Sequence, residues 1–177
     1  METWEAISAR RNVRDFTDEP LSAEALERIL EAGWRAPSSR NWQPWDFVVV
    51  SDREQLQRLS QVWQGGGHIA RAAAAVGLVI DDFEAGSRDR EIALYDLGQT
   101  SLQMMVAAAD LGIGSGHSAV GDQDLARQVL GLPEGKILKY VIDFGHPADR
   151  PLNPIKKPNR RPFDEVVHRG SWVQRSN

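Results

Sequence analysis

The chain has 177 residues, 41% of them hydrophobic, enough for one domain around a single core. A net charge of −4 and a pI near 5.6 exclude a general nucleic-acid surface, so any anion site has to be local. With no cysteine, disulfide frameworks, thiolate metal sites, cysteine nucleophiles and dithiol chemistry all fall away, and redox work would need a borrowed group. No apolar run approaches the roughly 18 residues of a membrane span. The start, Met1-Glu2-Thr3-Trp4-Glu5, lacks the basic and apolar regions of a signal peptide, so a cytoplasmic protein is expected.

Residues 2–10 carry a short helical pattern, with Trp4, Ile7 and Ser8 on one side, that runs into Arg10-Arg11-Asn12-Val13-Arg14. After Pro20, Ser22 caps a helix whose Leu26, Ile29, Leu30, Gly33 and Trp34 follow the rhythm of one helical face. Next comes Pro37-Ser38-Ser39-Arg40-Asn41-Trp42-Gln43-Pro44-Trp45. Prolines near both ends fix φ and disfavour helix in Ala36 and Gln43, which predicts a stiff, extended shelf whose amides and indoles suit a flat heterocycle. The β-branched run 46–50 predicts a central strand buried on both faces. Ser51-Asp52-Arg53-Glu54 has the spacing of a capping box for a helix through Leu56, Leu59 and Trp63, ended by Gly65-Gly66-Gly67 as a flexible turn.

Residues 74–81 predict a second buried strand, and the polar stretch up to Arg90 a loop or lid. A long helix over 91–110, with Tyr95, Leu102, Met105, Val106 and Ala109 inward, is expected to be central and buried nearly all round. A glycine-rich passage follows at 112–116, then a helix from Asp122 to Leu130, a turn at 132–135 and a strand over 136–144. Prolines 147, 151, 154, 158 and 162, interleaved with Arg150, Lys156, Lys157, Arg160 and Arg161, require an extended, non-helical tail. Such an arm is expected to wrap a partner subunit. The irregular order of strands and helices favours an α+β sandwich over a Rossmann sheet.

Three guanidiniums within five residues, Arg10, Arg11 and Arg14, suit a phosphate, which relieves their mutual repulsion. A solvated basic turn paired with Asp15, Asp18 or Glu19 explains them as well. In Gly112-Ile113-Gly114-Ser115-Gly116-His117 the glycines could admit a ligand edge, yet the stretch fails as a dinucleotide fingerprint because His117 stands at the third glycine position. Val120 likewise spoils a nucleophile elbow, and a helix-to-strand turn is the plainer reading. The four histidines, His68, His117, His146 and His168, lack metal-ligand spacing, so no metal is expected. His168 is expected to pack on Trp172, and Asp96 either caps the long helix or orients something.

The arginine cluster, the helix ending in Ala36, the shelf and the Phe-Val-Val-Val strand together resemble the nitroreductase family of FMN-dependent oxidoreductases. The likeness continues through Asp96-Leu97-Gly98, Leu111-Gly112-Ile113-Gly114-Ser115, Gly145-His146-Pro147 and Arg160-Arg161-Pro162, and so covers nearly the whole chain. The resemblance implies a three-layer α+β sandwich with a central mixed sheet, in an arm-exchanged homodimer that holds two FMN molecules in its interface. Residues 1–146 would form the FMN-binding part and 147–177 the arm, within one domain.

Carried over by position, Arg10 resembles the phosphate contact and Arg14 the ribityl and pyrimidine contact, with Asn12 beside them and Arg11 as a helper. Asn12 departs from the serine common in the family. Pro37, Ser38, Ser39, Asn41 and Gln43 resemble the shelf given by the partner protomer. His117, Ser118 and Ala119 fall where backbone groups border the isoalloxazine edge, and Arg160 resembles the tail arginine that closes on the phosphate. No side chain is implied as a catalytic acid or base; Asn41 and Arg14 would act as electrostatic helpers to hydride transfer at flavin N5. The implied activity is ping-pong transfer from NAD(P)H to a nitroaromatic, quinone or related acceptor, with the 83–90 loop and partner residues selecting it. Alternatives are a dehalogenase-like or flavin-destroying enzyme of the same fold, against which the lack of an obvious lid speaks, and a flavin- or anion-binding module without turnover.

Overall fold

The structure, a computed structural model, describes residues 1–172. Six α-helices occur among them: α1 (Thr3–Ala9), α2 (Ala23–Trp34), α3 (Arg53–Leu59), α4 (Arg88–Asp110), α5 (Gln123–Leu130) and α6 (Phe163–Val166). Four strands, β1 (Asp46–Val50), β2 (Ala74–Asp81), β3 (Gly114–Ala119) and β4 (Lys136–Gly145), form one sheet in the order β1-β2-β4-β3. All three strand pairings are antiparallel. The expected mixed sheet is therefore not formed by these strands; the isolated Asn12–Ser115 bridge supplies a parallel contact.

Helices cover both faces, which makes three layers. On one face Ile29, Leu97 and Met104 of α2 and α4 pack on Val76, Leu78, Ile142 and Phe144. On the other, Leu56, Leu59 and Val129 of α3 and α5 pack on Val50, Val79, Leu138 and Val141. The alternation along β4 slips between these sets. Leu78 pairs with Tyr140 but Val79 pairs with Leu138, so Lys139 is an extra residue, a bulge that turns Leu138 toward α3 and α5.

Several expected elements differ in detail. β1 is an edge strand rather than a central one, and Asp46 and Val49 are exposed, because β-branched content reports strand propensity and not position in the sheet. Asp52, not Ser51, caps α3, accepting from the Gln55 amide at 2.8 Å, and α3 stops at Leu59, short of Trp63. α4 begins at Arg88, where Ser87 accepts from the Arg90 amide at 3.3 Å. It is not buried all round. Met105 and Ala109 point inward as expected, whereas Tyr95 (70% exposed) and Leu102 (51%) face outward and Ala93, Asp96, Leu97 and Thr100 take the buried stripe. A Cβ at Gly33 of α2 would lie 2.1 Å from the Met104 methyl, so α2 and α4 touch there.

The tail is extended through Pro162 but not wholly non-helical, since Phe163–Val166 forms one helical turn after the last proline frees the backbone. It also starts by packing on its own protomer. Leu152 is buried with Ala9, Val13, Phe16, Ala72 and Ala109, and the Ile155 amide donates to the Ser8 carbonyl at 3.0 Å. Residues 173–177 of the expected arm lie outside the described residues.

Deleting Lys139 removes the bulge and turns Leu138 out of its cluster. The expected loss matches a large-to-small core substitution, about 2–5 kcal/mol, read from the urea midpoint.

Candidate active site

Two groups of polar residues stand at opposite ends of α4. At one end the shelf packs over Asp96, which is wholly buried and accepts from the Ser39 amide (2.8 Å), the Ser39 hydroxyl (3.2 Å) and Gln99 Nε2 (3.1 Å). Asp96 therefore orients the shelf instead of capping the helix. The shelf itself is not extended. Ser39–Asn41 makes a 3-10 turn, and Arg40, Asn41 and Gln43 have φ of 55°, 58° and 55°. Three non-glycine residues in the left-handed region cost of order 1–3 kcal/mol each, a concentration of strain typical of a ligand clamp. Proline restricts φ only at its own position and the residue before it, which is why the sequence rule missed the turn between them.

Ser38 Oγ accepts from the Gln43 amide (3.0 Å), and Gln43 Nε2 donates to the Asn41 carbonyl (2.9 Å). Both serine hydroxyls are thus spent on holding the turn, and the exposed Asn41 side chain is the polar group presented outward. Pro37 is exposed beside them.

At the far end of α4, Ala109 packs with Ala9 and Val13. Here Asn12 bridges Ser115, the Val13 amide donates to the Ser115 carbonyl (2.9 Å), and Arg10 Nη1 donates to Asn12 Oδ1 (3.3 Å). Arg10, Asn12, Arg14 and the strand carrying His117, Ser118 and Ala119 thus come together. Among the described residues the exposed Arg14 guanidinium has no ion pair or hydrogen bond, so it is ready for an anion. Arg11 turns away: its Nη2 donates to Asp149 Oδ1 (2.7 Å) and to the Arg150 carbonyl (2.8 Å), pinning the start of the tail. Arg160 is exposed and donates to the Asn159 carbonyl (2.8 Å), remote in its contacts from this cluster.

The glycines of β3 make room for protein rather than for a ligand edge. A Cβ at Gly114 would lie 2.7 Å from a Val13 methyl, and one at Gly116 would lie 2.7 Å from the Val13 carbonyl and 3.0 Å from both Asp143 carboxylate oxygens. Asp143 is the residue that sequence reasoning missed. It is fully buried, with Oδ2 2.8 Å from Nδ1 of buried His68 and Oδ1 without a hydrogen-bond partner. Burial pushes its carboxyl above the ordinary range, and His68 offsets part of that. The signal was a charged residue inside an apolar strand pattern, Tyr140-Val141-Ile142-Asp143-Phe144. His68–Asp143 ties the turn after Gly67 to the sheet beneath the arginine segment.

His168 and Trp172 stack as expected, with ring centroids 4.3 Å apart. No cluster of metal-ligating side chains occurs among the described residues, and no helix there is long and apolar enough to cross a membrane.

Sequence and structure comparisons identify the family. Residues 7–76 match the Nitroreductase family. An Archaeoglobus fulgidus protein whose name pairs NADH dehydrogenase with NAD(P)H nitroreductase is 31% identical over 175 residues, covering 97% of this chain and 99% of its own. The Bacillus subtilis FMN reductase [NAD(P)H] is 30% identical over 195 residues, covering 97% of this chain and 75% of its own. The solved structure of the Vibrio harveyi NADPH:FMN oxidoreductase in complex with NAD+ superposes with a TM-score of 0.82 at 28% identity, over 97% of this chain and 78% of that one. The chain belongs to the nitroreductase family.

Three substitutions probe the two ends. Asp96→Ala leaves the Ser39 amide unpaired and should cost about 1–3 kcal/mol in urea unfolding, with faster hydrogen exchange at Ser39. Gly116→Ala forces a Cβ into a backbone carbonyl and should cost about 1–3 kcal/mol by the same measure. Arg11→Ala should speed proteolysis of the tail after Gly145. The Arg11 guanidinium holds the Asp149 carboxyl below its ordinary value. Its contribution is therefore present above the usual carboxylate range and is lost as pH falls through the lowered value, so wild-type tail protection should fade in acid and the variant's should not.

Proposed function

We propose that this chain is an FMN-dependent NAD(P)H oxidoreductase that works as a homodimer, each flavin lying between the arginine segment of one protomer and the shelf of its partner. The observation that carries the reading is the separation of the two half-sites. Asp96 and Ala109 stand roughly 20 Å apart along α4 at about 1.5 Å per residue. Ser39 of the shelf docks on Asp96 while the arginine segment docks on Ala109, so the two groups meet α4 at different turns within one protomer. A second copy supplies the missing half.

The exposed helix faces support the pairing. Trp4 (75% exposed) and Ile7 of α1, Trp34 of α2, and Tyr95 and Leu102 of α4 are left outward. An apolar groove of about 700 Å³ between these helices runs past Ala6, Ile7, Leu102 and Val106 to Arg10. Covering one such tryptophan, with about 150–190 Å² exposed, gains about 4–5 kcal/mol at ~25 cal/mol per Å². Dimerisation along this groove brings Arg10 into the interface.

The residues fit FMN on their own chemistry. Arg10 and Arg14 supply donors for a phosphate and a polarisable ring edge, Asn41 supplies an amide, and no carboxylate among the described residues competes for Arg14. When bound, FMN supplies a two-electron carrier between NAD(P)H and an acceptor. Arg14 would supply the positive charge and Asn41 the amide donor that hold such a ring. The strained turn, locked by Asp96 and Ser38, keeps Asn41 in place without reorganisation during turnover. His117, Ser118 and Ala119 border the same side as Asn12 through β3. Nitroaromatics, quinones and related molecules are the acceptors that an open, flat cleft of this kind admits, in ping-pong order.

The purified protein should be yellow, bleach anaerobically with NADH or NADPH, and sediment as a dimer. Arg10→Ala and Arg14→Ala should each weaken FMN binding about tenfold or more, the scale of one charge-assisted phosphate contact, measured by equilibrium dialysis. A colourless protein that takes up no FMN, or a flavin-loaded monomer, contradicts the reading.

A further inference from the structure

The cleft between the shelf and the first turn of α4 carries a chemistry that flavin binding does not use. It encloses about 620 Å³ and is lined by Ser39, Arg40, Trp42, Arg88, Asp89 and Ile92. Arg40 and Arg88 are exposed, and among the described residues neither guanidinium has an ion pair or a hydrogen bond. Arg40 is held at φ 55°, inside the turn that Asp96 locks from below. Its backbone is therefore fixed, and its side chain leaves a rigid base. Trp42 meets Phe83 edge-on, with centroids 5.6 Å apart and planes at 65°, and keeps 41% of its surface exposed. The edge contact steadies the indole and leaves ring surface open to a stacked partner.

Two unpaired guanidiniums face one carboxylate here, in a chain whose net charge is −4. Asp96 beneath the shelf is already occupied by Ser39 and Gln99, and the neighbouring acids Asp82, Glu84 and Glu91 are not among the residues lining the cleft. The cleft is therefore a local positive site with an aromatic wall and an apolar floor at Ile92. Planar guanidinium forks match a carboxylate or sulfonate bidentately, and the tryptophan matches an aromatic ring. We propose that this cleft is the acceptor subsite and selects aromatic acceptors bearing an anionic group, with Arg40 and Arg88 on the anion and Trp42 on the ring. The proposal rests on the shelf bordering the flavin, since that is what places an acceptor here. The subsite adds no chemical step; it sets which acceptor reaches the cleft.

Calorimetric titration of the oxidised holoenzyme, without electron donor, tests it directly. Wild type should bind 4-nitrobenzoate about tenfold more tightly than uncharged 4-nitrobenzamide, the scale of one charge-assisted contact. In Arg40→Gln/Arg88→Gln the two affinities should converge while FMN content, read from the flavin absorbance, stays at the wild-type level. Trp42→Leu should weaken both ligands and keep the preference for the anion. Equal affinities in wild type, or a preference that survives the double variant, would overturn the proposal. NADP+ and NAD+ serve as the second arm. If the double variant erases a preference for NADP+ and leaves the nitrobenzoate preference intact, the arginines read the donor's phosphate and the acceptor assignment falls. A protein that retains no FMN defeats the flavin reading separately, because the same titration on the flavin-free protein still reports whether the charge preference exists.

Discussion

α4 sets the distance on which the rest of the molecule depends. It runs for 23 residues from Arg88 to Asp110 and touches the shelf through Asp96 and the arginine segment through Ala109. A rigid helix with a buried carboxylate near one end and a small residue near the other fixes both half-sites at once. The same helix leaves Tyr95 and Leu102 outward, so the exposed apolar surface and the spacing of the two polar groups come from a single element.

Charge is distributed to match. The fold ties down some of its basic groups internally: Arg11 on Asp149, Arg71 on Asp15, Lys136 between Asp46 and Asp81. The two carboxylates raise the Lys136 ammonium above its ordinary value, which marks a structural cation and not a reactive one. Arg14, Arg40 and Arg88 are left without partners among the described residues, and all three lie at the ends of α4 or in the shelf. Unpaired guanidiniums in the shelf, at the start of α4 and in the arginine segment give a charged ligand local targets in an acidic protein without a basic face.

Backbone strain follows the same division. The shelf stores it in three left-handed residues and offsets it with the Asp96 and Ser38 hydrogen bonds. β3 avoids it by using glycine, at 114 and 116, where Val13 and the Asp143 carboxylate come too close for any side chain. The buried His68–Asp143 pair, with one carboxylate oxygen unsatisfied, is the costliest polar feature of the core, and it lies directly under the segment that carries Arg10 and Arg14.

Much of this was legible in the chain alone. Apolar rhythm located α2, the Asp122 cap located α5, apolar runs located β1 and β2, and the absence of cysteine removed whole classes of chemistry. The arginine cluster and the shelf announced themselves because chemistry-bearing residues were concentrated within a few positions. The family resemblance joined them. Periodicity misjudged Tyr95 and Leu102 because an exposed apolar side chain and a buried one leave the same trace in the sequence. It misplaced β1 because propensity is local while strand order is not. His68 and Asp143 are 75 residues apart, and no local pattern reports a contact across that span. What the sequence determined by itself was the identity of the elements and the kinds of groups at the site, since both follow from neighbours along the chain. Only the tertiary structure decided which groups meet, that Asp96 grips Ser39, that Arg11 turns to the tail, and that the shelf and the arginine segment meet α4 at different turns. Those are matters of distance through space, which the packing of α4 on the sheet fixes and chain order does not.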